Sequence, residues 1–426
     1  MKTIVLTAFI CLVLSTANGQ EKGINFQTKL TWAQVKEKAQ KENKYIFVDC
    51  YTTWCVPCKV MAKDVFTKPE VSNFFNEKFV SVALQFDETK KDDADTKSWR
   101  AEVQRIGTEY KVNAYPTYLF FNPDGALVHS IIGGSDAATF LEKSKAALNP
   151  ASQLVNLKKQ YADGNRSPEF MLTFIKALGT AWDGQTADVI NVYLPTQKDL
   201  LTQGNLQLIY QSTKKSADPG YKIIREHSKE FDAVNGPGVS RTIISTIAFD
   251  ELVLPIVRKN GARVNNGGMY FYTGEINKNV DWAAVKAKLK AGYPDLADDI
   301  FATSRLSYLR DREDWPTYVT EANAYADKYN DTEHADQIDT FANYIYLFTD
   351  DKKCLEGSLN LTRKVLAIDG PKKDWYLIMY ANLLHKTGKK DEALAIAADG
   401  IKRLGDKAYG FKELQDRLTK KETAQQ

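Results

Sequence analysis

The chain has 426 residues, 43% of them hydrophobic and 26% charged, which allows two or three soluble domains with cores of ordinary size. Its 57 basic residues nearly balance 54 acidic ones, and the net charge of +3 comes without any basic cluster, which excludes a nucleic-acid surface as its organising feature.

In chain order, Lys2, the apolar run Ile4 to Leu14 and the small residues Ala17-Asn18-Gly19 read as an export signal over residues 1–19, cleaved after Gly19. The run is too short for a membrane span, which needs about 20 apolar residues, so no span is expected once the signal is removed. Cys11 lies inside the run and not at its end, which argues against lipid attachment there. The expected location is the periplasm, or else the extracellular space. Cys50, Cys55, Cys58 and Cys354 then remain, too sparse a set for a disulfide framework, so stability must come from packing.

Thr31 caps an amphipathic helix over Leu30 to Asn43, with Trp32, Val35 and Ala39 on its apolar stripe. The β-branched and aromatic run Tyr45 to Val48 reads as a buried strand. A short turn follows, and then Cys55-Val56-Pro57-Cys58 opens a helix, since Val60, Met61, Val65 and Phe66 recur at helical spacing and Pro57 fits a first turn. A thiolate at a helix N-terminus faces unpaired N–H groups and the positive end of the dipole, both of which favour the charged form. Thiols so placed in Cys-x-x-Cys pairs have pKa values of roughly 3.5 to 7.5, against about 8.5 when free. Cys55 is therefore the expected nucleophile of disulfide exchange and Cys58 the resolving thiol.

A bridge over so small a loop contributes only about 2 kcal/mol by chain entropy, which makes a structural staple the weaker reading. Half a zinc site is the other rival, but His129, His227, His334 and His385 are scattered singly and no second Cys-x-x-Cys exists. Asp49, at the end of an apolar strand, is either a buried proton acceptor for Cys58 or an ordinary strand-end carboxylate in water. Cys50, its neighbour, should point to the opposite face as a small buried hydrophobe, and Cys354 should be a buried helical thiol.

Downstream the pattern gives a helix at Pro69 to Lys78, a strand at Val80 to Leu84 and a solvated charged loop from Asp87 to Lys97. A helix over Trp99 to Tyr110, strands at Thr117 to Asn122 and Ala126 to Ile132 about a Pro123-Asp124-Gly125 turn, and a helix over Asp136 to Ala147 complete the unit. Such an order suits a central sheet covered on both faces. Pro116, directly before a strand, must sit where no ladder N–H is needed, and a cis peptide is one way to achieve that.

Val48-Asp49, Trp54-Cys55-Val56-Pro57-Cys58-Lys59 and Tyr115-Pro116-Thr117 resemble the thioredoxin superfamily: a buried acid, a redox pair and a facing cis-proline loop. With Val65-Phe66-Thr67-Lys68-Pro69-Glu70-Val71 included, the stretch is most similar to the periplasmic C-terminal domain of the DsbD electron transporters. The resemblance covers about residues 24–148 and implies an α/β thioredoxin fold. Carried over, it makes Pro116 the cis-proline and pairs the Tyr115 backbone with a substrate strand laid across Cys55; Trp54, beside the nucleophile, is read as both a packing lid and part of the substrate surface, and Pro57 as part of that surface. It implies a thiol–disulfide oxidoreductase acting on protein disulfides without cofactor or metal. Val56-Pro57 lacks the histidine found between the cysteines of strong oxidants, which points to a reductase supplied by a thiol electron donor delivered through the membrane.

Asn149-Pro150-Ala151-Ser152 marks the expected end of the thioredoxin-like domain (20–150). Beyond it no convincing strand is read. Helices recur, broken at Ala162 to Asn165, Asp218 to Gly220, Asn235 to Gly238 and Asn265 to Gly268, giving a helical domain (151–295) and an all-α repeat region (296–426). In the latter, helical pairs return at intervals of roughly 38 residues, and Trp375 to Leu404, with Ala381, Gly388, Ala393 and Ala397, resembles a tetratricopeptide repeat, from which Gly400 departs. Helical solenoids expose concave faces that often bind peptides or proteins, and the alternative is a helical cap packed on its neighbour. The competing expectation is thus a binding scaffold whose helical region holds a partner and whose thioredoxin unit is secondary.

Overall fold

A computed structural model of the chain describes residues 23–266, 269–370 and 373–419. The expected export signal and the glycines of the Asn265–Gly268 break lie outside them. The chain divides into two compact units, Met1–Val189 and Ile190–Gln426.

In the first unit, α1 (Trp32–Glu42) begins at Thr31, whose hydroxyl accepts from the Gln34 N–H while the Gln34 side chain accepts from the Thr31 N–H. This reciprocal cap satisfies two otherwise unpaired donors. Asn43, in the left-handed region at φ 50°, ends the helix and turns the chain into β1 (Tyr45–Tyr51). Strand alternation then sorts the core. Ile46, Val48 and Cys50 join Val35 and Ala39 of α1 on one face, whereas Phe47 meets Phe75, Tyr118 and Phe140 on the other. A strand buried on both faces has to be continuously apolar, which is why Tyr45 to Val48 lacks a polar alternate.

β2 (Phe79–Gln85) lies parallel to β1, β3 (Thr117–Phe121) antiparallel to its other edge, and β4 (Leu127–Ile132) antiparallel to β3, in the order β2-β1-β3-β4. The crossover from β1 to β2 runs through α2 (Val56–Val60), a π turn (Met61–Val65) and α3 (Pro69–Lys78). These elements and α6 (Ala137–Lys145) bury the phenylalanine-rich face. α1 and α5 (Arg100–Glu109) bury the opposite one. Full burial of each large apolar side chain contributes roughly 1.5–3 kcal/mol, so this double-sided core carries the unit.

The charged run differs from the solvated loop expected. Asp93 caps a short helix, α4 (Ala94–Ser98), and Asp92 accepts from Thr89 and Gln85 and pairs with Arg100 at the start of α5. Its charges fold the segment locally, a pattern of i, i+3 contacts that apolar periodicity cannot register. The unit also continues past Asn149–Pro150. α7 (Leu154–Ala162) and α8 (Pro168–Thr180) pack on β4, and the Leu154 N–H donates to Nδ1 of buried His129 at 3.2 Å.

The second unit is predominantly helical, but it does contain strands. Arg258–Lys259 pairs with Glu275–Ile276, and Arg263–Asn266 with Met269–Tyr272. Gly274, at φ +87°, lets the backbone fold back where a Cβ would lie 2.6 Å from the Lys259 carbonyl. The strands are too short to produce a readable alternation. Further on, Ala297–Asp311, Trp315–Lys328, Ala335–Phe348, Lys352–Asp369, Asp374–Lys386, Lys390–Leu404 and Tyr409–Thr419 follow one another with each helix packed on the next. Ala381, Ala393 and Ala397 are fully buried there, and a Cβ at Gly400 would collide with the Phe411 ring, which accounts for a glycine at that point. Among the described residues no helix is long and apolar enough to cross a membrane.

Candidate active site

The C-terminal end of β1 delivers the chain into a turn, Thr52 to Trp54, that puts Cys55 at the N-cap of α2. Its Sγ accepts from the Cys58 N–H at 3.1 Å, one of the donors a helix start leaves unpaired. Pro57 occupies the first turn, where its missing N–H is not needed. The two sulfurs are bonded at 2.03 Å, with Cα atoms 5.3 Å apart. Both cysteines are buried, yet Trp54 and Val56 beside them are each 66% exposed and Val60 is 49% exposed. They form an apolar rim around the reactive bond.

Asp49 lies on the β1 face shared with Phe47, the face that Met61 and Val65 of the redox helix cover. It is only 7% exposed, and Oδ1 has no hydrogen-bond partner among the described residues. Burial pushes its carboxyl up to about 7, because nothing nearby offsets the lost hydration. Cys50 is fully buried on the opposite face, as alternation requires.

Register brings the second half of the site alongside. Thr117 pairs with Cys50 across the β1–β3 ladder, so the preceding Tyr115–Pro116 peptide, which is cis, sits at the same end of the sheet as the cysteines. The Tyr115 ring stands edge-on to Trp54 at 6.0 Å and is tilted against Phe86 at 5.5 Å. Pro116 O accepts from the Gly133 N–H at 2.9 Å. Gly134 leaves room for the redox helix: a Cβ there would lie 3.8 Å from Pro57 Cβ and 3.6 Å from Met61 Sδ. Trp54, Cys55, Pro57, Cys58, Tyr115 and Pro116 therefore converge, with Asp49 beneath them.

One participant escaped sequence reading. The Thr53 N–H donates to Asp87 Oδ1 at 2.8 Å and its hydroxyl bonds to the other carboxylate oxygen, tying the redox turn to the exit of β2. Nothing marks Asp87 apart from its neighbours in a charged run. His129 and Cys354 stay outside the site. Burial lowers the His129 imidazole to about 4, and Cys354 lies within a helical core.

Residues 26–123 match a family described as thioredoxin-like. A thioredoxin of Aspergillus fumigatus, Asp f 29, is 35% identical over 112 residues, covering 26% of this chain and 86% of that protein. The thiol:disulfide interchange protein DsbD of Pseudomonas fluorescens is 32% identical over 109 residues, which are 25% of this chain but only 17% of that longer relative. Among solved structures, the oxidised C-terminal domain of Neisseria meningitidis DsbD aligns with 29% of this chain and 97% of its own, at 22% identity and a TM-score of 0.22. The relatives and the bonded Cys-x-x-Cys pair together identify a thiol–disulfide oxidoreductase, and through its N-terminal unit the chain belongs to the thioredoxin family.

Proposed function

We propose that the chain is an exported reductase of protein disulfides in which Cys55 attacks, Cys58 resolves and Asp49 manages the proton. In the reduced protein the Cys55 thiolate displaces one sulfur of the substrate disulfide, which leaves as a thiolate and takes a proton from water. Cys58 then gives its proton to Asp49 and attacks Cys55 Sγ, releasing the second substrate thiolate. Two electrons have passed to the substrate, and the Cys55–Cys58 bond is the state in which the chain now rests. Asp49 suits the proton step because a carboxyl near pH 7 can both accept and return a proton at working pH. Trp54, Pro57, Tyr115 and Pro116 form the contact surface, with the Tyr115 backbone pairing to an extended substrate segment.

The observation that carries this reading is Cys55 at the helix N-cap with an exposed apolar rim around it. The reductase direction is favoured by Val56-Pro57, which place no cationic donor beside the thiolate. Similarity to DsbD over 109 residues supports a thiol donor served through a membrane, and the pattern of residues 1–19 supports periplasmic export. The successive helix pairs after Leu296 are read as tetratricopeptide-like and as a place for a protein partner, supported by their short connections and buried small residues.

Reduction of insulin disulfides by the mature chain tests the proposal. Wild type should turn over with a thiol donor, Cys55→Ala should be inert, and Cys58→Ser should accumulate mixed disulfides through Cys55. Equal inertness of wild type and Cys55→Ala would favour the scaffold. A redox potential close to that of the oxidant DsbA, about −120 mV, would overturn the reductase direction.

A further inference from the structure

The helices that follow the sheet end, beside the redox loops, in a feature that the mechanism does not use. α8 closes with Trp182, whose N–H bonds back to the Gly179 carbonyl while the Asp183 N–H reaches the Leu178 carbonyl. Trp182 has φ +48°, a left-handed position where glycine or asparagine is favoured and a bulky side chain costs about 1–2 kcal/mol. The indole does not offset that strain by burial, being 65% exposed. A strained and solvated tryptophan is unfavourable for folding on both counts, which directs attention to function.

Its ring edge rests over Gly133, where a Cβ would lie 3.4 Å from Cζ2. Gly133 is the residue bonded to Pro116 O, and Gly134 abuts Pro57. Trp182 thus stands against Gly133, one hydrogen bond from Pro116 and next in the chain to the Gly134 that abuts Pro57. Behind it opens a cleft of about 640 Å³, lined among others by Leu119 and Ile132 of the sheet, Leu154 and Val155 of α7, and Trp182 itself. Val155 is 44% exposed along it. The turn is anchored, since Asp183 accepts from the Gln185 N–H at 2.9 Å and pairs with Lys158 at 2.5 Å.

We infer that Trp182 is a substrate-selecting residue of the redox site: it clamps the apolar flank of an extended protein segment whose cystine lies at Cys55 and whose chain passes over Pro116 into this cleft. The inference rests on the proposed reductase reading. It commits to an unfolded or loop segment of a disulfide-bonded protein, because a cleft of about 640 Å³ with apolar side chains of the sheet and α7 in its lining suits a stretch of chain. The run of contacts from Trp182 through Gly133 to the Pro116 carbonyl is what selects this occupant over a separate ligand.

Trp182→Gly and Trp182→Asn both suit the left-handed backbone, so each removes the ring while relieving the turn. The reading is the ratio of kcat/KM for the intact disulfides of insulin to kcat/KM for glutathione disulfide, with the thermal midpoint of each variant. A clamp predicts that the ratio falls roughly ten-fold in both variants, chiefly through KM, the size usual for truncating an aromatic anchor, with midpoints at or above wild type. A ratio equal to wild type in both variants overturns the inference while leaving the reductase reading intact. A midpoint loss with no change in ratio assigns Trp182 to structure and also overturns it. A wild-type chain inert toward both disulfides overturns the reductase reading and this inference with it.

Discussion

Two buried carboxylates, one in each unit, are treated in opposite ways. Asp299 of the helical unit is 4% exposed and fully engaged: Arg241 Nη1 donates to Oδ2 at 2.9 Å and the Tyr325 hydroxyl to Oδ1 at 2.7 Å. Asp49 of the thioredoxin unit is 7% exposed, with Oδ1 unpartnered and its carboxyl raised to about 7. The first arrangement fixes helices to one another. The second leaves a raised carboxyl with an unpartnered oxygen on the face of β1 that the redox helix covers, the arrangement that the proposed proton step uses.

The comparison breaks most visibly by removing each acid. Asp299→Ala leaves the mostly buried Arg241 guanidinium without its carboxylate and only the Glu333 carbonyl to donate to, and should destabilise the helical unit by about 3 kcal/mol, read from the denaturant midpoint of that unit's transition. Asp49→Asn should do the reverse at pH 8. A raised carboxyl pKa means the folded state binds more protons than the unfolded one between about pH 4 and 7, so stability falls as pH rises through that window. Removing the charge should recover on the order of 4 kcal/mol at most, while slowing resolution by Cys58. An Asp49→Asn variant less stable than wild type at pH 8 would erase the contrast.

His129 sharpens it with the opposite sign. Its lowered imidazole pKa of about 4 means that the unfolded state binds the proton first, so its contribution is lost as pH falls from about 6.5 toward 4. His129→Leu should flatten that acid limb and leave the Leu154 N–H unpaired, at a cost of about 1–3 kcal/mol. The smallest effect is expected at the exposed Lys176–Glu142 pair, where Lys176→Ala should leave the thermal midpoint unmoved.

Much of the first unit was legible because its signals are periodic or local. Tyr45 to Val48, the Thr31 cap, and Cys55 at a helix start follow from apolar runs and capping chemistry, and the alternation at Asp49-Cys50 separated their faces in advance. Pro116 could be placed beside Cys55 only through family resemblance, since the β1–β3 register that joins them is non-local. Asp87 and Trp182 carried no sequence signal: one is a charge among charges, the other a lone tryptophan before Asp183-Gly184. The short strands around Arg263 and Met269 were missed because four residues cannot establish a period. A proline break marks where a helix stops and says nothing of packing, and beyond Pro150 α7 returns to β4.

The central claim is that the helix N-terminus makes Cys55 acidic, and the rate of its alkylation in the reduced chain, followed against pH by peptide mass spectrometry, tests it most directly. The account predicts a half-maximal rate below about pH 7.5 for Cys55, well under that of Cys58. A Cys55 that titrates near 8.5, like a free thiol, would contradict it.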